Sequence, residues 1–346
     1  MRTRKQTREE ENAVETRPTV VSITKIETPT ISPSKRDVIR PSSTPSKLPK
    51  LIQFPLVTIL SLSLAAVGYS LTWRHTKGPM APYARLLTTW DDVGIVTGWR
   101  IFQLALGWFG NYDGYDITAL NLLSHGPLLY LLHAFYEVPT NALLLTLAIE
   151  TLATYIPFRL LRPLSTVHAD PSRAPNADIV TDRPIMILTT LLAGAIYSVT
   201  LFFSYISYLP SYLAVYFTSL PSIAPAHETT YVGLLPVTLV LGFAARAFIF
   251  TPAEAAAAAR DNEPFDPASA TLRETVRWNF WGWTAQTKVV IQRTALLMLI
   301  TGADTFVQTR FTIKGVETPG ATAWSSVWVV AAAITGLALG AVAGGV

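Results

Sequence analysis

Residues 51–73, LIQFPLVTILSLSLAAVGYSLTW, run for 23 positions without a charged side chain. A helix of that length reaches across the roughly 30 Å of hydrocarbon in a bilayer. Residues 184–209 and 324–346 are uncharged in the same way, so three membrane spans are read directly. Between them, Ile117–Tyr136 and Val138–Leu160 are nearly as apolar and are separated by Glu137 and Pro139, a break that suits a tight helical hairpin. Thr229–Phe250 adds a further span, with Arg246 close enough to one end to snorkel. Val93–Gly110 carries Arg100, and Val289–Val307 carries Arg293 and Asp304. Each of these two crosses, is re-entrant or lies along the interface. The fold class is therefore an all-α polytopic transmembrane helix bundle of about 7–8 spans.

Composition agrees with this reading. Of 346 residues, 50% are hydrophobic and 14% charged, against roughly a quarter charged in a soluble domain, and the mean hydropathy is +0.35. An ordinary soluble enzyme is excluded. The chain has no cysteine, which removes disulfides, thiolate nucleophiles and Cys-type metal sites. Neither a cofactor nor a bound metal is expected.

Residues 1–50 form a separate domain in composition. They hold 11 Lys or Arg against 6 Asp or Glu, among many Pro, Ser and Thr, and cannot build a core. They read as a disordered basic cytosolic tail, and residues 51–346 as the multi-pass membrane domain. A basic arm beside a span meets anionic lipid on the cytosolic side. In this tail the basic residues are not interleaved with aromatics on a folded surface, so nucleic acid is not an expected partner. Glu9, Glu10, Glu11 and Glu15 disfavour a mitochondrial presequence. The endoplasmic reticulum or a related endomembrane is the expected location, the mitochondrial inner membrane the less favoured one. With eight spans, the tail, the Arg159–Arg183 connection and the Thr251–Lys288 connection share one side and 19 Lys or Arg, against five opposite.

Local patterns add detail. Thr251, Pro252 and Glu254 read as a capping box opening a short helix to Arg260. Leu272–Lys288 mixes Arg273, Arg277 and Lys288 with Trp278, Phe280, Trp281 and Trp283, and reads as a helix in the membrane plane. Ala332, Gly336, Gly340 and Gly344 recur every fourth residue and expose a smooth ridge for a neighbouring helix of this chain or another copy.

No soluble-enzyme motif is present, so chemistry must come from polar groups at membrane depth. Glu150 stands mid-span, where a charged carboxylate costs on the order of 3 kcal/mol; it is protonated, paired or facing a wet cavity. Asp113 and Asp116 lie three apart in a short aromatic loop, as a polar turn or as two groups facing one ligand. His133 and Glu137 at i, i+4 pair in an acid–base site or a plain interfacial hydrogen bond. Asp304 and Arg310 read as a structural pair.

The tract Leu120–Arg162, with Asn121 to His125, then His133, Phe135, Tyr136 and Tyr155 to Arg162, resembles the integral membrane proteins of fungal indole-diterpene biosynthetic clusters. Trp278 to Trp281 and the glycine-rich last span fit the same likeness. The resemblance implies a protein of isoprenoid secondary metabolism, either terpene-cyclase-like or accessory. Proton-initiated cyclisation would need a neutral acid in a dry pocket with aromatic faces for the cation. Glu150 as acid, helped by Asp113 or Asp116, and Trp99, Trp108, Tyr112, Tyr130 and Tyr155 as lining would supply those parts. The expected partners are the lipid bilayer, a hydrophobic small molecule and other membrane enzymes. The competing class is a non-enzymatic membrane scaffold or small-molecule transporter.

Overall fold

The computed structural model describes residues 49–174, 176–256 and 270–343, all within one compact unit, Ser43–Val346. The expected behaviour of the tail before Pro49 lies outside the described residues, as do Arg260 and Gly344 and the side chains of Arg277, Trp278 and Phe280.

Eight helices of at least 20 residues make up the described bundle. We number them α1 (Lys50–Thr72), α2 (Trp90–Phe109), α3 (Gly114–Ala134), α4 (Thr140–Leu161), α5 (Arg183–Ile206), α6 (Tyr231–Ala256), α7 (Ala285–Thr312) and α8 (Thr318–Val342). All but α2 and α3 are long and apolar enough to cross a membrane, which makes six, and the chain is membrane-associated. This is fewer than the seven or eight spans expected. α2 and α3 have the length, but Asp91, Asp92, Arg100, Asp116, Asn121 and His125 lower their hydropathy. α3 buries much of its length among its neighbours, so its polar groups meet protein. Large apolar side chains such as Leu71, Leu160, Phe243 and Leu337 are more than half exposed on the outward faces, as a surface solvated by lipid tails requires.

The hairpin break falls as expected: α3 ends at Ala134, Glu137 takes a positive φ of 54°, and Pro139 caps α4. Val289–Val307 lies inside the 28-residue α7, so it is one of the six helices long and apolar enough to cross a membrane. The Leu272–Lys288 stretch is not one helix either, because Leu272–Trp281 stops before Thr284 caps α7. The capping box at Thr251 is also corrected. Thr251 is buried and helical inside α6, and the chain passes through a π turn, Arg246–Phe250, without breaking. Pro252 has no N–H, which leaves the carbonyl of Phe248 without its intrahelical donor. Arg293 Nη1 donates to that carbonyl at 2.8 Å.

Two close helix pairs carry the C-terminal half. The ridge of α8 packs inside the same chain: Gly336 faces Thr294, and Gly340 faces Val290, of α7. α5 and α6 approach so closely at Gly194 and Gly242 that a methyl group on Gly242 would lie 2.7 Å from the Thr190 carbonyl oxygen and 2.8 Å from Gly194 Cα. Backbone atoms cannot move aside cheaply. Gly242→Ala is expected to destabilise the protein by about 1–3 kcal/mol, read as an earlier unfolding midpoint in detergent, while Gly98→Ala, with open space around it, leaves the midpoint in place.

At the end opposite the start of α1, two single antiparallel bridges, Ala84 with Ile313 and Phe217 with Val316, tie the loops to the α7–α8 turn. The Lys314 and Arg85 amides donate to the Tyr83 and Thr312 carbonyls, each at 2.8 Å.

Candidate functional site

The ionisable side chains of the bundle gather at two levels. The first is the turn between α2 and α3, on the side where α1 begins. Asn111 sits at φ 60° and closes α2: its amide donates to Trp108 O and the Tyr112 amide to Gly107 O, the pattern of a helix ended by a left-handed residue. Asp113 then starts α3, its Oδ1 accepting from the Tyr115 and Asp116 amides at 3.0 Å each. The spacing of Asp113 and Asp116 is thus the spacing of a helix cap and its first turn.

Each neighbouring group has a partner. Asp113 Oδ2 accepts from His168 Nδ1 at 2.7 Å and from the Ser165 amide at 2.8 Å. Asp116 receives Arg293 through both oxygens, at 2.6 and 3.0 Å. Arg162 donates to the carbonyls of Trp108 at 2.7 Å and Tyr112 at 2.8 Å, placing a cation on the negative end of α2. Its guanidinium stacks 4.1 Å above Trp108, and Arg293 lies 5.0 Å from both the Tyr112 and Phe248 rings. Asp113, Asp116 and His168 are near enough together to share one cation. Arg293 already occupies Asp116, however, and four donors occupy Asp113, so the donor set fits the existing bonds better than a metal.

Burial opposes ionisation of Asp113, but the hydrogen bonds from His168, the Asp116 amide and Ser165 outweigh it and hold its carboxyl well below the usual range. Burial likewise opposes charge on His168, and the Asp113 carboxylate overrides it, raising the imidazole above its ordinary 6.5. Stability from His168 is complete below 6.5 and is lost as pH rises through the raised value. Stability from Asp113 is complete above its ordinary 3.8 and is lost as pH falls through the lowered one. Protection of the Ser165 amide, its exchange rate divided into the intrinsic rate at each pH, is therefore expected to be greatest between those ordinary values and to fall on either side. Asp113→Asn should flatten that profile; an unchanged profile would show that the pair does not hold the loop.

The second level is halfway along α4. Glu150 on α4 pairs with Arg100 on α2 at 2.9 Å and accepts from Tyr69 on α1 at 2.6 Å. Arg100 also donates to Thr154 Oγ1 at 3.0 Å. Nearby, Trp99 Nε1 donates to Asp304 Oδ1 on α7 at 2.8 Å, and His125 Nδ1 on α3 stands 3.6 Å from Asp304 Oδ2. Asp304 is thus not paired with Arg310, which donates to Thr318 Oγ1 instead. His133 does not face Glu137; its Nδ1 turns to the Val138 carbonyl.

Glu150 and the Asp113–Asp116 turn do not share a cavity. Glu150 lies eleven residues before the end of α4, roughly 16 Å below that turn. The space beside Arg100 and Thr154, also lined by Asn121 and Ser124, measures about 30 Å³. That holds a water or two, well under the roughly 300 Å³ at which small-molecule pockets begin. The supposed aromatic lining is dispersed: Trp99 is on Asp304, Trp108 and Tyr112 are on guanidinium groups, and Tyr130 stacks on Trp324 and accepts from Tyr205 at 3.1 Å. Tyr155 lies beside Tyr115. A larger groove, about 420 Å³, opens at the far end of α5 between Phe202, Tyr205 and His227, and none of the proposed lining residues borders it.

Arg100, Arg162, His168, Arg293 and Asp304 went unassigned to these partners in the sequence. For Arg100 the signal was there: it and Glu150 stand at equal depth in their apolar runs.

The geometry defines a polytopic helical membrane protein whose buried ionisable groups clamp helices together. Residues 182–342, from the start of α5 to the end of α8, match the family model of the Bouquet formation protein 3 C-terminal domain. The likeness to indole-diterpene cluster proteins, and with it the terpene and secondary-metabolite reading, is overturned by that match. That earlier likeness rested on apolar repetition in α3 and α4, which many membrane helices share. Neither a curated protein nor a solved structure matches the chain.

Proposed function

We propose that the chain is a multi-pass membrane protein of meiotic bouquet formation, serving as a membrane-embedded scaffold in the nuclear envelope and the endoplasmic reticulum continuous with it. The observation that carries this reading is the match over residues 182–342. Four of the six apolar helices lie inside the matched segment. The ion pairs described above support a rigid scaffold, because Arg100 with Glu150 and Arg293 with Asp116 tie helices together.

α2 and α3 also cross, giving eight spans with both ends on the same side. The basic tail faces the cytosol or nucleoplasm, where its net charge of +5 attracts anionic lipid. The partners are the lipid bilayer and other membrane proteins.

Deleting the gene in its host and scoring chromosome-end clustering in meiotic prophase tests the reading. Clustering is expected to fail, and a fluorescently tagged chain to mark the nuclear rim. Normal clustering, or a tag confined to mitochondria, would overturn it. Protease protection of tags at the two ends is expected to place both on the outer side of sealed microsomes.

A further inference from the structure

We propose that the groove at the end of α5 is a binding site for an uncharged membrane lipid with a hydroxyl head and a rigid ring body, a sterol. This site is independent of the scaffold reading.

Position brings lipid to the groove. Phe202, Tyr205 and Ile206 come from the C-terminal end of α5, and Thr229 stands two residues before α6 begins. Ile206 lines the groove and is 61% exposed, and its neighbour Phe203 is 59% exposed, so the lining continues into the apolar outer face of the bundle. The rest of the lining includes Ser207, Ser211, His227 and Thr229. Apolar surface open to lipid thus adjoins polar groups at the end of a membrane-length helix, where hydrocarbon gives way to headgroups. The volume of about 420 Å³ lies in the range of small-molecule sites.

Charge selects the class of lipid. Among the described residues no Lys, Arg, Asp or Glu borders the groove, and residues 209–230 contain no Lys or Arg. A phosphate headgroup would find no permanent cation there to offset its desolvation. The polar lining is made of hydroxyls and one imidazole. The side chains of Ser211, His227 and Thr229 have no hydrogen-bond partner among the described residues. Ser207 Oγ donates to the Phe203 carbonyl at 2.6 Å and keeps its lone pairs. Groups of this kind match a ligand hydroxyl, which both donates and accepts.

The walls select a rigid body. Phe202 packs edge-on against Tyr231 with ring centroids 5.7 Å apart, and Tyr205 packs in the same way against Phe135 at 6.0 Å. The Tyr205 hydroxyl is spent on Tyr130, at 3.1 Å, so its ring is what borders the groove. Pro210 adds a third fixed ring. Walls locked by their own neighbours need no ordering on binding, and a fused-ring ligand brings little freedom of its own to lose. An acyl chain settling on the same walls would give up rotation at every bond.

The test uses the full chain in phosphatidylcholine nanodiscs with a cholesterol analogue that carries a photoreactive diazirine on its ring system. Labelled peptides are identified by mass spectrometry. Labelling is expected within residues 202–229, and unlabelled cholesterol should compete it away. Cholesterol methyl ether, which accepts but cannot donate, should compete about fivefold more weakly. Diacylglycerol and phosphatidylserine should not compete. Ser211→Trp, which fills the groove from an exposed position, should cut the labelling about tenfold. Gly98→Ala, with open space around it, should leave it unchanged. Labelling that persists in Ser211→Trp, or that diacylglycerol or phosphatidylserine competes as well as cholesterol does, would overturn the proposal. If Ser211→Trp fails to fold, His227→Leu combined with Thr229→Val serves instead. That variant keeps the ring walls and should lose the preference for cholesterol over its methyl ether, and an unchanged preference would count against the site.

Discussion

Arg100→Leu is expected to lower the stability of the protein by about 3–5 kcal/mol, because it removes one partner of an ion pair that has been taken out of water. The Arg100 and Glu150 side chains are each 16% exposed and meet at 2.9 Å. Without the guanidinium, Glu150 keeps the Tyr69 hydroxyl and the field of Lys77, but loses its only ion pair within 4 Å among the described residues. The cost comes from the stranded charge, so Arg100→Leu combined with Glu150→Leu should recover much of the loss. A double variant as unstable as the single one would mean that packing, and not charge, governs the site. The measurement is the unfolding midpoint of detergent-solubilised protein, with monodispersity checked for each variant. Loss of Glu150 alone should act the same way, by freeing Arg100.

Arg293→Met is expected to have a comparable effect, about 3–5 kcal/mol, for two reasons that act together. Asp116 loses both of its hydrogen bonds to the guanidinium, at 2.6 and 3.0 Å. The Phe248 carbonyl, freed by Pro252 on the next turn of α6, loses its donor at 2.8 Å, and an unmade bond to a buried carbonyl costs about 1–3 kcal/mol. Arg293 therefore joins α3, α6 and α7 through one side chain. Adding Asp116→Asn relieves only the charge, so the double variant should recover part of the loss and no more. Lys in place of Arg293 should restore little, since an ammonium group cannot hold the two-oxygen geometry and reach the carbonyl as well. Full rescue by Arg293→Lys would show that net charge alone suffices.

Both predictions concern groups that were visible in the sequence as anomalies in apolar runs. Glu150 stood out because a mid-span carboxylate needs a reason, and pairing was among the reasons open to it. Its partner was harder to name, because Arg100 is fifty residues away on a helix whose crossing was itself in doubt. The pair Asp113 and Asp116 shows the opposite limit. Their spacing suits a helix cap, and the structure uses it so, but His168 and Arg293 reach them from elements 55 and 177 residues distant. Asp304 and Arg310, six apart on one helix, looked like natural partners. Residues six apart on an α-helix are turned about 120° from one another, and Asp304 turns inward to Trp99 and His125.

Aromatic residues were the least legible. Trp99, Trp108, Tyr112, Tyr130 and Tyr155 are close in the chain and look like the lining of one chamber. In three dimensions they face different neighbours, because α2, α3 and α4 each rotate them by 100° per residue. Those rotations disperse a cluster that exists only along the chain.

The amino-acid sequence by itself determined that the chain is membrane-associated, where five of the six apolar helices run and where the α3–α4 hairpin turns, because hydrocarbon imposes a length and a polarity on each segment separately. Only the tertiary structure decided which acid meets which base, that α6 continues through its proline, and that the glycine ridge of α8 closes on α7. Those outcomes depend on the depth and rotation of helices relative to one another, which no single segment encodes.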